Sequence, residues 1–174
     1  MAEVRIAAMS QTVVPIVNAR DQDLIDGVEI KELVTHPDER GFFREMIRVT
    51  DSFFGEQAFG QLSHSLVHPG SGKGWHYHPD QIDWWYVIGN LKVALYDLRE
   101  GSPTHKRLNE ILMGDIYGAK VLKIPPMVAH GCRALDTTHL LYVTSSVYDP
   151  AQEGRIAHDD PVLGYDFVSS PPVK

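Results

Sequence analysis

Apolar and polar positions are grouped in short runs through the middle of the chain. Residues 28–34, 42–49, 60–67, 74–78, 83–99, 121–125 and 138–148 gather β-branched and aromatic side chains between turn-forming residues. A period of two gives a strand one face for a core and one for solvent, whereas a helix needs apolar residues three and four apart. No window of ten or more residues keeps a helical stripe; the best segment, 51–59, predicts one short helix near a barrel mouth. The breakers between runs, His68 to Gly74, Gly89-Asn90 and Pro125-Pro126, read as hairpin turns, with Gly89-Asn90 joining two antiparallel strands tightly. Eight or more short strands in roughly 150 residues predict an all-β jelly-roll barrel or sandwich. Trp84-Trp85-Tyr86-Val87-Ile88 is apolar on both strand faces. Either its outer face meets a second subunit, which predicts a homodimer, or the strand is wholly internal to a two-sheet sandwich.

No repeat, low-complexity segment or linker divides the 174 residues, so residues 1–174 are expected to form a single domain. With 43% hydrophobic and 22% charged residues, the composition is that of a globular protein and disorder is not expected. The net charge of -7 argues against nucleic acid or an anionic membrane surface as partner, because both need clustered Lys and Arg. A small anionic substrate needs only a few local cations. The lone Cys132 excludes an internal disulfide, and its neighbours predict a buried thiol. The first 17 residues lack the order of a signal peptide and are too short in apolar run to span a bilayer, so a cytoplasmic location is expected.

The chemistry concentrates in His76-Tyr77-His78, Asp83 and His130. Residues two apart on a strand share a face, so His76 and His78 both look into a barrel. The turn at Pro79-Asp80-Gln81 is expected to return Asp83 on the adjacent strand, with His130 arriving on a later one. Three imidazoles and a carboxylate suit a divalent transition metal such as Fe, Mn, Ni, Zn or Cu. The alternative is a polar cavity whose groups bind one another without metal. The spacing resembles the two motifs of the cupins, with Asp83 at the usual Glu and Met127 at a usual Gly. The remaining histidines, at 36, 64, 68, 105, 139 and 158, have no comparable spacing and are expected at the surface or in hydrogen bonds.

Several segments taken in order resemble the dTDP-4-dehydrorhamnose 3,5-epimerase family: Asp38 to Glu45, Gln61 to Ser65, Lys73 to Tyr77, Tyr96 to Thr104, Ile124-Pro125, Ala129-His130-Gly131, Leu141-Tyr142, Tyr148-Asp149-Pro150 and Asp160-Pro161. They cover roughly residues 36–165. The resemblance implies a cupin-type jelly roll, a nucleotide-linked 4-keto-6-deoxy sugar as substrate, and proton transfer at carbons beside the ketone. It makes His76 the base and Tyr142 the acid. It also assigns Arg40, Phe42, Glu45, Gln61 and Lys73 to substrate binding, Arg40 through a phosphate and Phe42 near the thymine.

Three positions depart from the family pattern. Lys73 stands at a family Arg, His78 at a Gln, and Asp83 at the Lys that stabilises the enolate. The family's Leu-Ser-x-Lys-Asp-like segment, whose Asp orients the base, has no counterpart before Lys174. The departures coincide with the ligand set His76, His78, Asp83 and His130, which suggests a metal in place of the missing ammonium. His76 is then a ligand, and Tyr142, His64 or a metal-bound hydroxide has to move the proton. Two other readings stand beside the epimerase: a metal-dependent cupin of another reaction class, and a non-catalytic sugar-binding cupin.

Overall fold

The computed structural model describes residues 14–16, 24–56 and 59–167. The described residues are almost wholly strand and turn, as the alternation predicts. The strands are β1 (Val14–Ile16), β2 (Glu29–Glu32), β3 (Thr35–Asp38), β4 (Gly41–Arg44), β5 (Gln61–Val67), β6 (Gly72–Tyr77), β7 (Asp83–Ile88), β8 (Asn90–Asp97), β9 (Leu108–Gly114), β10 (Lys120–Ile124), β11 (Val128–Ala134), β12 (Thr138–Thr144) and β13 (Gly154–Arg155). One sheet runs β1-β9-β8-β11-β6-β13, a second runs β2-β10-β7-β12-β5, and β3 with β4 forms a separate hairpin.

Period-two alternation explains why β8 is buried along its whole length. Leu91, Val93 and Leu95 meet Trp85, Val87, Leu122 and Ile124 of the other sheet, while Ala94 and Tyr96 point outward under Leu163, Tyr165 and Phe167. The six-stranded sheet is therefore covered on both faces, inside by its partner sheet and outside by the segment 163–167. Each fully buried large apolar side chain contributes about 1.5–3 kcal/mol.

The three breakers end strands but do not make in-sheet hairpins. β5 and β6, β7 and β8, and β10 and β11 lie in different sheets, so His68 to Gly74, Gly89-Asn90 and Pro125-Pro126 are corners between layers. At Gly89 the corner needs a φ of 93°, and a Cβ there would lie 2.6 Å from the Thr137 carbonyl oxygen. The long hairpin within a sheet is β8–β9, closed by the loop around Asp97.

The short helix expected at 51–59 is replaced by turns over residues 52–56, with Phe54 and Gly55 both donating to the Asp51 carbonyl (3.0 and 3.1 Å). Packing explains the difference. Phe54 stacks on Trp84 at 4.6 Å between centroids, and that contact outweighs a helical turn with few bonds to gain. Residues 57–58 of that expectation lie outside the described residues. Trp84 and Tyr86 thus face the chain's own segment, Ile47, Phe53 and Phe54, while Trp85 and Val87 face the inter-sheet core. Ile88 remains exposed.

Candidate active site

A cavity of about 290 Å³ opens between the two sheets. Its six-stranded wall carries Lys73, His76, His78, His130 and Cys132, and its five-stranded wall carries Gln61, Ser65, Asp83, Trp85, Leu140 and Tyr142. Strand alternation sets most of this: 83 and 85 on β7, and 140, 142 and 144 on β12, share inward parity. His130 on β11 sits directly opposite His76 on β6, and the register then shifts so that Cys132 opposes Lys73. That bulge lets Lys73 and His76, three residues apart, both reach the cavity. Asp83 arrives from the opposite sheet rather than from a strand adjacent to β6, because the turn at 79–81 is another corner.

His76 Nδ1 lies 2.6 Å from Glu153 Oε1. A carboxylate only accepts, so Nδ1 carries the hydrogen and Nε2 of the neutral ring is left as the basic nitrogen. Glu153 also accepts from Arg155 Nε at 2.9 Å. Burial alone would raise the Glu153 carboxyl, but His76 and Arg155 outweigh it and hold the group below the ordinary carboxylate value. Gly154 makes this approach possible: β13 pairs with β6 there, and a Cβ on Gly154 would lie within 2.1 Å of the Tyr77 ring.

Beyond His76, one group of metal-ligating type stands out among the described residues. Ligand atoms of His78, Asp83 and His130 all lie within 4.8 Å of one another. His76 is not a member of this group. Burial pushes His130 down to about 4 against the opposing pull of Asp83, so its ring is neutral near pH 7. Gln81 Nε2 and Trp85 Nε1 donate to the Asp83 carboxylate at 2.7 and 3.2 Å. Burial likewise raises the Cys132 thiol to about 11, in keeping with the buried thiol expected from its neighbours.

Of the residues singled out in the sequence, Gln61, Lys73, His76, His78, Asp83, His130 and Tyr142 line this cavity. Gln61 accepts from the Tyr148 backbone N–H at 2.8 Å, and Lys73 donates to the Ser65 hydroxyl. Arg40, Phe42 and Glu45 do not line it. They belong to the β3–β4 hairpin and its exit, where Arg40 pairs with Asp38 at 2.7 Å, Phe42 is 63% exposed and Glu45 pairs with Arg48. His64 is on the outer face of β5, 2.8 Å from His139, and does not line the cavity. Glu153 and Arg155, which no motif singled out, and Tyr148, which lies in a segment that resembles the family but had no assigned role, also line the cavity; all three reach it from beyond β12 and follow no ligand-like spacing.

Residues 22–173 match the dTDP-4-dehydrorhamnose 3,5-epimerase family. The spore coat polysaccharide biosynthesis protein SpsL of Bacillus subtilis is 42% identical over 149 residues, covering 83% of this chain and 97% of that protein. A dTDP sugar isomerase from Desulfovibrio desulfuricans G20 superimposes with a TM-score of 0.78 at 29% identity, covering 84% of this chain and 94% of the other. ChmJ, a 3'-monoepimerase from Streptomyces bikiniensis solved with dTDP-quinovose, gives 0.75 at 28% identity, covering 86% and 80%. The match of residues 22–173 to the family, with 42% identity over 83% of the chain to SpsL and the shared jelly roll, makes the chain a member of the dTDP-4-dehydrorhamnose 3,5-epimerase family.

Proposed function

We propose that the protein epimerises a dTDP-linked 4-keto-6-deoxy sugar, with His76 as base and Tyr142 as acid. The observation that carries this reading is their placement on opposite walls, His76 on β6 with Glu153 behind it and Tyr142 on β12. Inverting a carbon requires a proton to leave one face and return to the other. His76 Nε2 takes the proton from a carbon beside the ketone, the C–H electron pair becomes the C=C bond of an enolate, and the carbonyl oxygen takes the negative charge. Tyr142 then gives its phenolic proton to the opposite face, and the C=O re-forms. Glu153 keeps the imidazole in the tautomer that presents Nε2 and steadies the imidazolium formed. Gln61 and Lys73 bind substrate on the cavity rim.

Arg40, Phe42 and Glu45 fit this reading in a homodimer. The hairpin that carries them exposes Phe42 (63%) and Phe43 (61%); it pairs with neither sheet and touches the five-stranded one through Arg44 Nη1, which donates to Tyr86 Oη at 2.7 Å. It docks on a second copy and brings Arg40 to that copy's cavity, where a guanidinium pairs with a diphosphate.

The test is solvent exchange. In D2O, dTDP-4-keto-6-deoxyglucose should gain deuterium at carbon 3, carbon 5 or both when the enzyme is present, read by proton NMR. His76→Asn should abolish the exchange, since an amide has no basicity near neutral pH. Wild-type protein that leaves every carbon-bound proton in place would defeat the reading.

A further inference from the structure

We infer that His78, Asp83 and His130 bind one divalent first-row transition metal, and that His76 stays outside the metal's ligands. The first support is convergence from both walls. His130 lies on β11, Asp83 on β7 of the other sheet and His78 just past β6, yet their ligand atoms fall within 4.8 Å of one another.

The second support is a mismatch of hydrogen-bonding groups. His130 Nδ1 lies 3.1 Å from the Val128 carbonyl oxygen, which can only accept, so Nδ1 bears the hydrogen and Nε2 a lone pair. That Nε2 faces Asp83 Oδ2 at 3.8 Å, with side-chain exposures of 5% on both residues. Two acceptors of low exposure face each other at the cavity wall with no hydrogen to share, an arrangement that a cation between them relieves, as would a water donating to both. His78 is set in the same sense, with Nδ1 turned to the Gln152 carbonyl at 3.4 Å and Nε2 left available.

The surroundings match those of metal ligands. Hydrogen bonds from Gln81 and Trp85 orient the Asp83 carboxylate, and a backbone carbonyl fixes the His130 tautomer. Two neutral imidazoles and one carboxylate leave a 2+ ion with net charge +1 and open positions, a set that suits Fe, Mn, Co, Ni or Zn. His76 lies outside the group: its ring nitrogens are not among the ligand atoms that fall within 4.8 Å of one another, and its ring centroid is 6.4 Å from that of His130, against 5.4 Å for His78. On the function proposed above, the ion would supply positive charge to the enolate oxygen. The ion's binding does not depend on that function.

Cobalt(II) titrated into chelator-treated, full-length protein tests the site through its visible absorption and by calorimetry. One equivalent should bind with bands of a low-symmetry N/O site. His78→Gln and Asp83→Asn should each weaken binding by at least the roughly 10- to 100-fold that follows loss of a single outer-shell partner. His78 is half-buried beside the cavity mouth, so its variant should fold even if Asp83→Asn does not. His76→Asn should leave cobalt affinity within about threefold while stopping deuterium exchange. No saturable cobalt binding by the wild type overturns the site, and so does equal loss in the His76 variant, which would make His76 a ligand. Cobalt binding without sugar exchange would leave the site standing and remove only the sugar reading.

Discussion

At the scale of single residues, the departure from expectation with the largest chemical consequence is Glu153. An imidazole serving as base must present one nitrogen with its lone pair toward the substrate, and the 2.6 Å bond from Nδ1 to Glu153 accomplishes that. Glu153→Gln removes the charge and lets the amide donate to Nδ1, which favours the wrong tautomer. It should lower kcat by roughly 100-fold with KM little changed, and Glu153→Asp should recover part of the loss, in steady-state assays of the epimerisation. A change in KM alone would make Glu153 a binding residue. The histidines and Asp83 were legible at one cavity because strand parity and H-x-H spacing are local, and Tyr142 because its segment resembles the family. Glu153 was not, because it meets His76 only through the pairing of β13 with β6, 77 residues away in sequence. Nothing in its own neighbourhood encodes that return.

At the scale of elements, the β8–β9 hairpin depends on one carboxylate. Asp97 is fully buried and accepts from Arg99 Nε (2.8 Å), Ser102 Oγ (2.6 Å) and Thr104 Oγ1 (2.6 Å), which tie down the loop that follows. Burial would raise its carboxyl, but these hydrogen bonds prevail and hold it well below the usual carboxylate range. A carboxyl depressed in the folded state stabilises the fold above its unfolded value of 3.8, and this contribution is lost as pH falls through the folded value. Asp97→Asn should therefore cost roughly 2–3 kcal/mol at pH 7 in urea unfolding, and the gap to wild type should narrow as pH drops below about 4. A pH-independent gap would mean that the loop is held by shape rather than charge. The strand runs themselves were readable from alternation. Their assignment to sheets was not: a glycine or proline reports that a strand ends, while the choice between hairpin and corner is made by distant partners, as at Gly89.

At the scale of the whole molecule, the proposed catalytic groups and the proposed nucleotide-binding residues are separated within one chain. If the hairpin of one subunit completes the cavity of another, Arg40→Ala and His76→Asn remove different halves of a shared site. Each variant alone should be inactive or nearly so. Mixed in equal amounts and allowed to exchange subunits, they should regain about a quarter of wild-type activity, because half of the dimers are mixed and each has one intact site of two. Sedimentation should give a dimer of 19.5 kDa chains, and failure to complement would confine the site to one chain. No helix among the described residues is long and apolar enough to cross a membrane. The family and the jelly roll were legible from ordered motifs, whereas subunit geometry has no signature along a single chain.

The strand order also sets when this cavity comes into being. β5 finds its partner only in β12, joining residues 61–67 to residues 138–144, and β6 receives β13 only after that. A chain emerging from the ribosome therefore holds His76, His78 and Asp83 well before it has His130, the wall bearing Tyr142 or the carboxylate at 153. Closing such long loops is slow relative to local contacts. A ligand that recognises both walls therefore binds only the finished fold and stabilises the chains that have completed it by mass action.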